Sequence, residues 1–357
     1  MQTQRQRGAL SQMQGRFETE AREAFDDGWR RDDEPLAPLQ TTVTIERARS
    51  IIARNDSPDI PFDQSINPYR GCEHGCTYCY ARPSHAYLEL SPGLDFETKL
   101  FAKTNAAELL REELAKPGYK VSPMAFGTNT DCYQPAERKF RITRQLIELL
   151  AECEHPLTIV TKSALVERDL DLLAPMARKN LVKVYLSITT LDHVLARRME
   201  PRAASPRRRL DVLRALSAAG VPCGVMVAPL IPALNDKTME DVLEEAGRAG
   251  AREAAYIILR LPNEVKDVFK EWLAAHYPER AEHVVSVIRQ MRGGKDNDPR
   301  FGERMRGMGN FAELMSKRFA IACRRLGLNG HGGGRRMPEL DCGRFVPPSP
   351  PGQLKLF

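Results

Sequence analysis

Aromatic residues make up 7% of this 357-residue chain, and only Trp29 and Trp272 are tryptophans. The chain therefore lacks a strong platform on which nucleic-acid bases could stack. Its first 34 residues are polar, rich in Gln, Arg and acids, and contain no apolar run long enough for a signal peptide or a membrane span. A cytoplasmic location without membrane attachment is the expectation. Of the eight cysteines, three are tightly clustered, and no second Cys-x2-Cys or Cys-x3-Cys spacing occurs. That argues against a second metal cluster and against a disulfide framework, and it points to metal chemistry in a reducing compartment.

What is present is enough for one large catalytic domain with extensions, since 42% of the residues are hydrophobic. The net charge is +6, and it is concentrated: residues 292–336 hold eleven Lys or Arg against four Asp or Glu, which leaves the remainder about neutral. Such an excess suits a surface that faces polyanions, or equally a solvated helix face.

The chain divides into a polar N-terminal extension (1–60), with a strand-like stretch at 41–45, a core (61–262), a basic helical extension (263–330) and a tail (331–357). Within the core, short β-branched runs alternate with amphipathic stretches. Strands are expected at 65–69, 123–127, 157–161, 182–188, 223–228 and 254–259. Helices are expected at 105–115, 138–152, 168–177, 206–219 and 237–248, then at 264–276, 278–291 and 311–326. Six such βα units predict an α/β fold, a partial (β/α)6 barrel of the TIM type, rather than a closed eight-fold one.

Cys72, Cys76 and Cys79 stand at x3 and x2 spacing on one short stretch, Cys-Glu-His-Gly-Cys-Thr-Tyr-Cys. Soft thiolates favour iron–sulfur or zinc. Three of them can hold a [4Fe–4S] cluster with one iron open to a further ligand. A closed structural zinc site would need His74 as the fourth ligand.

This spacing, with Tyr78 before the last cysteine, resembles the radical S-adenosylmethionine signature. The resemblance implies that the open iron chelates S-adenosylmethionine, and that reductive cleavage gives methionine and a 5′-deoxyadenosyl radical that takes a hydrogen atom from substrate. It also implies an electron donor such as flavodoxin or ferredoxin, and the same barrel that the strand pattern predicts.

Catalytic groups of such barrels lie at the C-terminal ends of strands. Polar clusters fall there: residues 127–131, 161–163 and 187–190, and Ala228 before Pro229. Taken singly, each suits a helix cap or a solvated loop. Residues 62–261 resemble the spore photoproduct lyase-like group of DNA-repair enzymes. That resemblance places Lys162 and Ser187 against S-adenosylmethionine. With Tyr78 and Ala228, acting largely through backbone, and Thr130, they form the expected cofactor site.

The group's Cys-x-Ser-Asp stretch, whose cysteine returns a hydrogen atom to the product radical, reads Thr128-Asn129-Thr130-Asp131 here. A hydroxyl O–H bond is too strong for that role, so the lyase reaction itself is in question, and Cys132 is the candidate relocated donor. Free cysteines are more often buried hydrophobes, and Cys153, Cys223, Cys323 and Cys342 read as structural. Arg197, Arg198 and Arg207 to Arg209 could meet phosphates or start a solvated helix. Arg202 is a candidate for the cofactor's carboxylate.

Gln353-Leu354-Lys355-Leu356-Phe357 matches the Gln-Leu-x-Leu-Phe pentapeptide by which bacterial replication and repair proteins bind the sliding clamp. Two leucines and a terminal phenylalanine fill an apolar pocket while Gln353 fixes orientation. The proline-rich stretch before it would act as a tether. The leading expectation is a radical enzyme working on DNA. An enzyme for RNA, protein or a small molecule, and a non-catalytic nucleic-acid-binding protein with structural metal, are the alternatives.

Overall fold

The β-branched runs of the core become parallel strands in the computed structural model, which describes residues 7–18, 39–334 and 336–348. The strands in chain order are β1 (Thr42–Glu46), β2 (Ile52–Arg54), β3 (Gln64–Ile66), β4 (Tyr69–Arg70), β5 (Lys99–Lys103), β6 (Met124–Phe126), β7 (Leu157–Thr161), β8 (Val182–Ser187), β9 (Cys223–Leu230) and β10 (Glu253–Ile258). Six of them, β3 and β6 to β10, pair in parallel in sequence order, and β2 adds an antiparallel edge beside β3. This is the partial (β/α)6 barrel. The crossover helices run over Ala106–Leu114, Ile142–Glu152, Leu170–Arg178, Pro206–Ala218 and Met239–Arg248. Each buries a 3.6-period apolar stripe against the sheet, whose strands carry Val, Ile and Leu on both covered faces.

Two expected elements are shorter than their periodicity suggests. The strand expected over 65–69 stops at Ile66, and Tyr69–Arg70 instead pairs antiparallel with β5. That makes a small sheet of order β1-β5-β4. Pro68 lies between them and has no amide N–H for a ladder. The helix expected over 138–152 is broken at Arg141, whose φ of +52° separates a short turn from Ile142–Glu152.

An open sheet leaves edges that must be protected. At β10 the side-chain amide of Asn329 accepts from the Ala254 amide at 2.8 Å and donates to the Ala254 carbonyl at 3.0 Å, imitating a ladder partner. Helix Gly309–Leu326 packs outside, with Phe319 against Tyr256 and Arg318 on Glu240. Among the described residues no helix is long and apolar enough to cross a membrane.

Helices Val265–His276 and Pro278–Gln290 turn back towards the cysteine loop. They contribute Val265, Phe269, Trp272, Leu273, Val284 and Ile288 to a second apolar cluster that includes Cys76 and Tyr78. Trp272 is fully buried there, its indole N–H donating to the Arg198 carbonyl at 3.0 Å.

Candidate active site

The loop that leaves β4 carries all three clustered cysteines, and its backbone is pinned from several sides. Cys72 N donates to Phe96 O at 2.9 Å, and Thr77 N donates to Met199 O at 3.0 Å. Gly75 has φ of +67°, and a Cβ there would lie 2.5 Å from a Glu97 carboxylate oxygen, so only glycine fits this corner.

Beneath the loop lies a charge cluster with no exposed member. Arg82 is fully buried and donates to the carbonyls of Cys76 (2.9 Å), Pro92 (3.0 Å), Gly93 (2.8 Å) and Gly75 (3.3 Å), and to the Glu97 carboxylate. Glu97, equally buried, also accepts from the amides of Gly8 (2.9 Å) and Ala9 (2.8 Å). Arg7 donates to the carbonyls of Glu97 and Leu39 and to the Thr41 hydroxyl. Residues of the N-terminal extension thus form part of the loop's support. Lone charges far apart in sequence gave no signal of this.

A second buried network fixes Tyr78. Its phenol donates to Glu200, which also accepts from the Thr189 hydroxyl and is paired with Arg209. Arg209 is 1% exposed and also donates to the carbonyls of Ala204 (2.7 Å) and Ser187 (2.8 Å), so it is neither a solvated helix start nor a phosphate ligand. Burial pushes the Glu200 carboxyl up, but the charges of Arg209 and Lys162 and the two hydroxyl donors outweigh it and hold it down at about 2. Lys162 Nζ stands 5.8 Å from the Tyr78 ring centroid.

The strand ends converge on this loop. Gly127 ends β6 with φ of +76° against the Val160 carbonyl, to which any Cβ would come within 1.9 Å. Asn67 Oδ1 then accepts from the amides of Asn129 (2.9 Å) and Thr130 (3.3 Å). The Thr130 hydroxyl donates to the Tyr69 carbonyl at 3.0 Å. Asp131 accepts from Thr161 Oγ1 and the Lys162 amide, both at 2.7 Å, and faces His74 Nδ1 at 3.3 Å. Burial raises the Asp131 carboxyl, yet His74 and these donors hold it at about 2. Ser187 Oγ donates to Ala228 O at 3.1 Å, joining the ends of β8 and β9.

Tyr80, directly after the last cysteine and absent from the expected site residues, donates its hydroxyl to the Thr128 carbonyl. Its place after Cys79 was the only available signal.

Other residues lie elsewhere. Cys132 is fully enclosed in the principal core, where burial pushes its thiol well up. Arg202 pairs with Glu73 at 2.6 Å, and with Arg197, Pro135, Pro201 and Ala203 it lines a cavity of about 370 Å³ beside the loop. Of the basic stretch, Arg292 is buried, while Arg300, Arg304, Arg318 and Arg325 face Asp298, Asp59, Glu240 and Glu244. The tail residues Gln353, Leu354, Leu356 and Phe357 fall outside the described residues.

The donor set fits an iron–sulfur cluster. Three thiols share one loop, and burial raises all three, Cys76 to about 12, so they need a bound cation's charge to ionise. His74 is turned to Asp131, and among the described residues no three His, Cys, Asp or Glu side chains converge for a single ion. Without His74 as a fourth ligand, the three thiols lack the closed set that a structural zinc wants and suit a cluster with one open iron.

A parallel partial barrel with a three-thiol loop at its strand ends defines a class of metal-cofactor enzymes. Residues 66–246 match the radical SAM superfamily, and the chain belongs to it. The superfamily's cofactors are a [4Fe–4S] cluster and S-adenosylmethionine, and this chain is a radical S-adenosylmethionine enzyme. An uncharacterized protein of Mycobacterium tuberculosis is 38% identical over 276 residues, 76% of this chain and 80% of the relative. One of Methanocaldococcus jannaschii is 29% identical over 219 residues, 61% of this chain and 78% of that one. Among solved structures, spore photoproduct lyase complexed with dinucleoside spore photoproduct shares the fold, with TM-score 0.59 and 17% identity over 81% of this chain and 80% of that one.

Proposed function

We propose that this enzyme abstracts a hydrogen atom from DNA in a repair-like reaction and is tethered to the sliding clamp by its C-terminal pentapeptide. The observation that supports the reading is the run of polar groups at the ends of β6 to β9 beside the cysteine loop: Lys162 Nζ over the Tyr78 ring, Thr130 on the Tyr69 carbonyl, and Ser187 on the Ala228 carbonyl. A solved structure of similar fold is a lyase bound to a dinucleoside photoproduct.

Cys72, Cys76 and Cys79 would hold the cluster, which supplies the electron that cleaves S-adenosylmethionine. Lys162 and Ser187 would orient the cofactor's polar ends. The backbone of Tyr78 and Ala228 would line its adenosyl group. Thr130, whose hydroxyl holds the Tyr69 carbonyl, would fix the turn that carries these groups. Cys132 could return a hydrogen atom only if its thiol left the core, so the chemistry proposed is abstraction. Flavodoxin or ferredoxin would donate the electron.

The test is 5′-deoxyadenosine formation by anaerobically reconstituted, reduced protein with and without damaged duplex DNA. Stimulation by DNA, with label transfer from deuterated DNA into 5′-deoxyadenosine, is the expected result. Equal yields without label transfer would overturn the DNA reading and leave the enzyme class standing. Phe357→Ala should weaken clamp binding in a pull-down from purified components, and unchanged binding would remove the tether.

A further inference from the structure

We propose that Arg260 is a phosphodiester-binding residue at the mouth of the site, a role that rests on the reading of the chain as a DNA-acting radical enzyme. Arg260 follows β10 by two residues, at the barrel end where Thr128, Lys162 and Ser187 also lie. Its guanidinium stands 5.4 Å from the Tyr80 ring centroid, and Tyr80 in turn donates to Thr128 O. This puts it one side chain away from the cysteine loop. Among the described residues its Nε has no hydrogen-bond partner, and Nη1 has only the weak Met305 sulfur at 3.7 Å.

The charges around it do not balance. Arg304 is taken up by Asp59, with Nε to Oδ2 at 2.8 Å. Arg292, 1% exposed, donates to the carbonyls of Leu259 (2.9 Å) and Glu303 (2.8 Å) and has no carboxylate among its hydrogen-bond partners. Asp298 is held by Arg300. Arg260, Arg292, Arg300 and Arg304 thus share three carboxylates, Asp59, Asp298 and Glu303, which leaves positive charge in a partly enclosed pocket that an incoming anion would offset. Arginine's planar fork matches phosphate oxygens.

Two exposed aromatics belong to this cluster: Tyr80, 47% exposed, under Arg260, and Phe301, 58% exposed, against the neighbouring Arg304 at 4.7 Å. A simple anion needs neither ring. A nucleotide uses both features, phosphate on guanidinium and base on ring.

The test is fluorescence-anisotropy titration of a labelled single-stranded oligodeoxynucleotide against the reconstituted full chain over a range of salt, for wild type, Arg260→Gln, Arg260→Lys and Phe301→Ala. Loss of one charged phosphate contact should weaken Arg260→Gln binding about tenfold. Its log–log salt slope should fall by about 0.7. Arg260→Lys should keep the wild-type slope, and Phe301→Ala, at an exposed position, should bind more weakly with that slope unchanged. S-adenosylmethionine affinity should not move in Arg260→Gln.

Wild-type-like oligonucleotide binding and slope in Arg260→Gln would overturn the site while leaving the DNA reading intact. Loss of S-adenosylmethionine binding instead would assign the guanidinium to the cofactor and equally overturn it. No oligonucleotide binding by the wild type would sink both. Should Arg260→Gln fail to fold, unchanged binding by Phe301→Ala would overturn the proposal.

Discussion

Replacing Arg82 with methionine isolates the device that holds the cysteine loop. The side chain is fully buried, reaches the Gly75 and Cys76 carbonyls of the cysteine loop and those of Pro92 and Gly93, and neutralises a Glu97 carboxylate that is itself 0% exposed. Methionine keeps an unbranched but shorter stem, supplies no donors and leaves an unpaired buried anion, which typically costs about 3–5 kcal/mol. Two amide donors, from Gly8 and Ala9, remain on Glu97 and keep the loss towards the lower end. The Arg82→Met, Glu97→Leu double variant removes both charges and should be more stable than Arg82→Met alone. The assay is urea unfolding of the metal-free protein, with iron per chain after reconstitution as a second readout. A loss under about 1 kcal/mol in Arg82→Met, or a double variant less stable than the single, would refute the claim that this pair clamps the loop.

Three further outcomes follow from the same geometry. Glu200 titrates at about 2 when folded against an ordinary 4.5. As a depressed carboxyl, it contributes stability that is present above pH about 4.5 and lost as pH falls towards about 2. The contribution is about 3 kcal/mol by linkage. Glu200→Gln should therefore flatten the acid limb of the unfolding free energy, and an unchanged limb would contradict the pairing with Arg209. Gly75→Ala, forced against Glu97 at φ +67°, should lose iron to a chelator faster than wild type, as followed by absorbance decay. Cys76→Ala should retain neither the full iron complement nor 5′-deoxyadenosine formation.

The barrel was legible because its strands are β-branched runs with both faces covered, so β7 coincides with the 157–161 run and β8 and β9 differ from expectation only at their ends. The cysteines were legible from spacing alone. The loop's supports were not: Arg7, Arg82 and Glu97 meet across up to 90 residues of chain, and no local period marks an ion pair of that separation. Arg209 illustrates the opposite error. Its run of three arginines reads as a solvated face, yet the rotation of about 100° between successive helical residues sends Arg209 inward to Glu200 while Arg208 stays outside on Glu167. The basic stretch after residue 291 reads equally as a polyanion surface or a solvated face, and the structure pairs Arg300, Arg304, Arg318 and Arg325 with carboxylates while Arg292 is buried.

The central claim is that three thiolates on one loop leave a cluster able to engage S-adenosylmethionine. Its most direct test is 5′-deoxyadenosine yield from reconstituted, dithionite-reduced protein. The account predicts product from the wild type and none from Cys76→Ala. No product from the wild type, with one tightly bound zinc in place of iron, would contradict it.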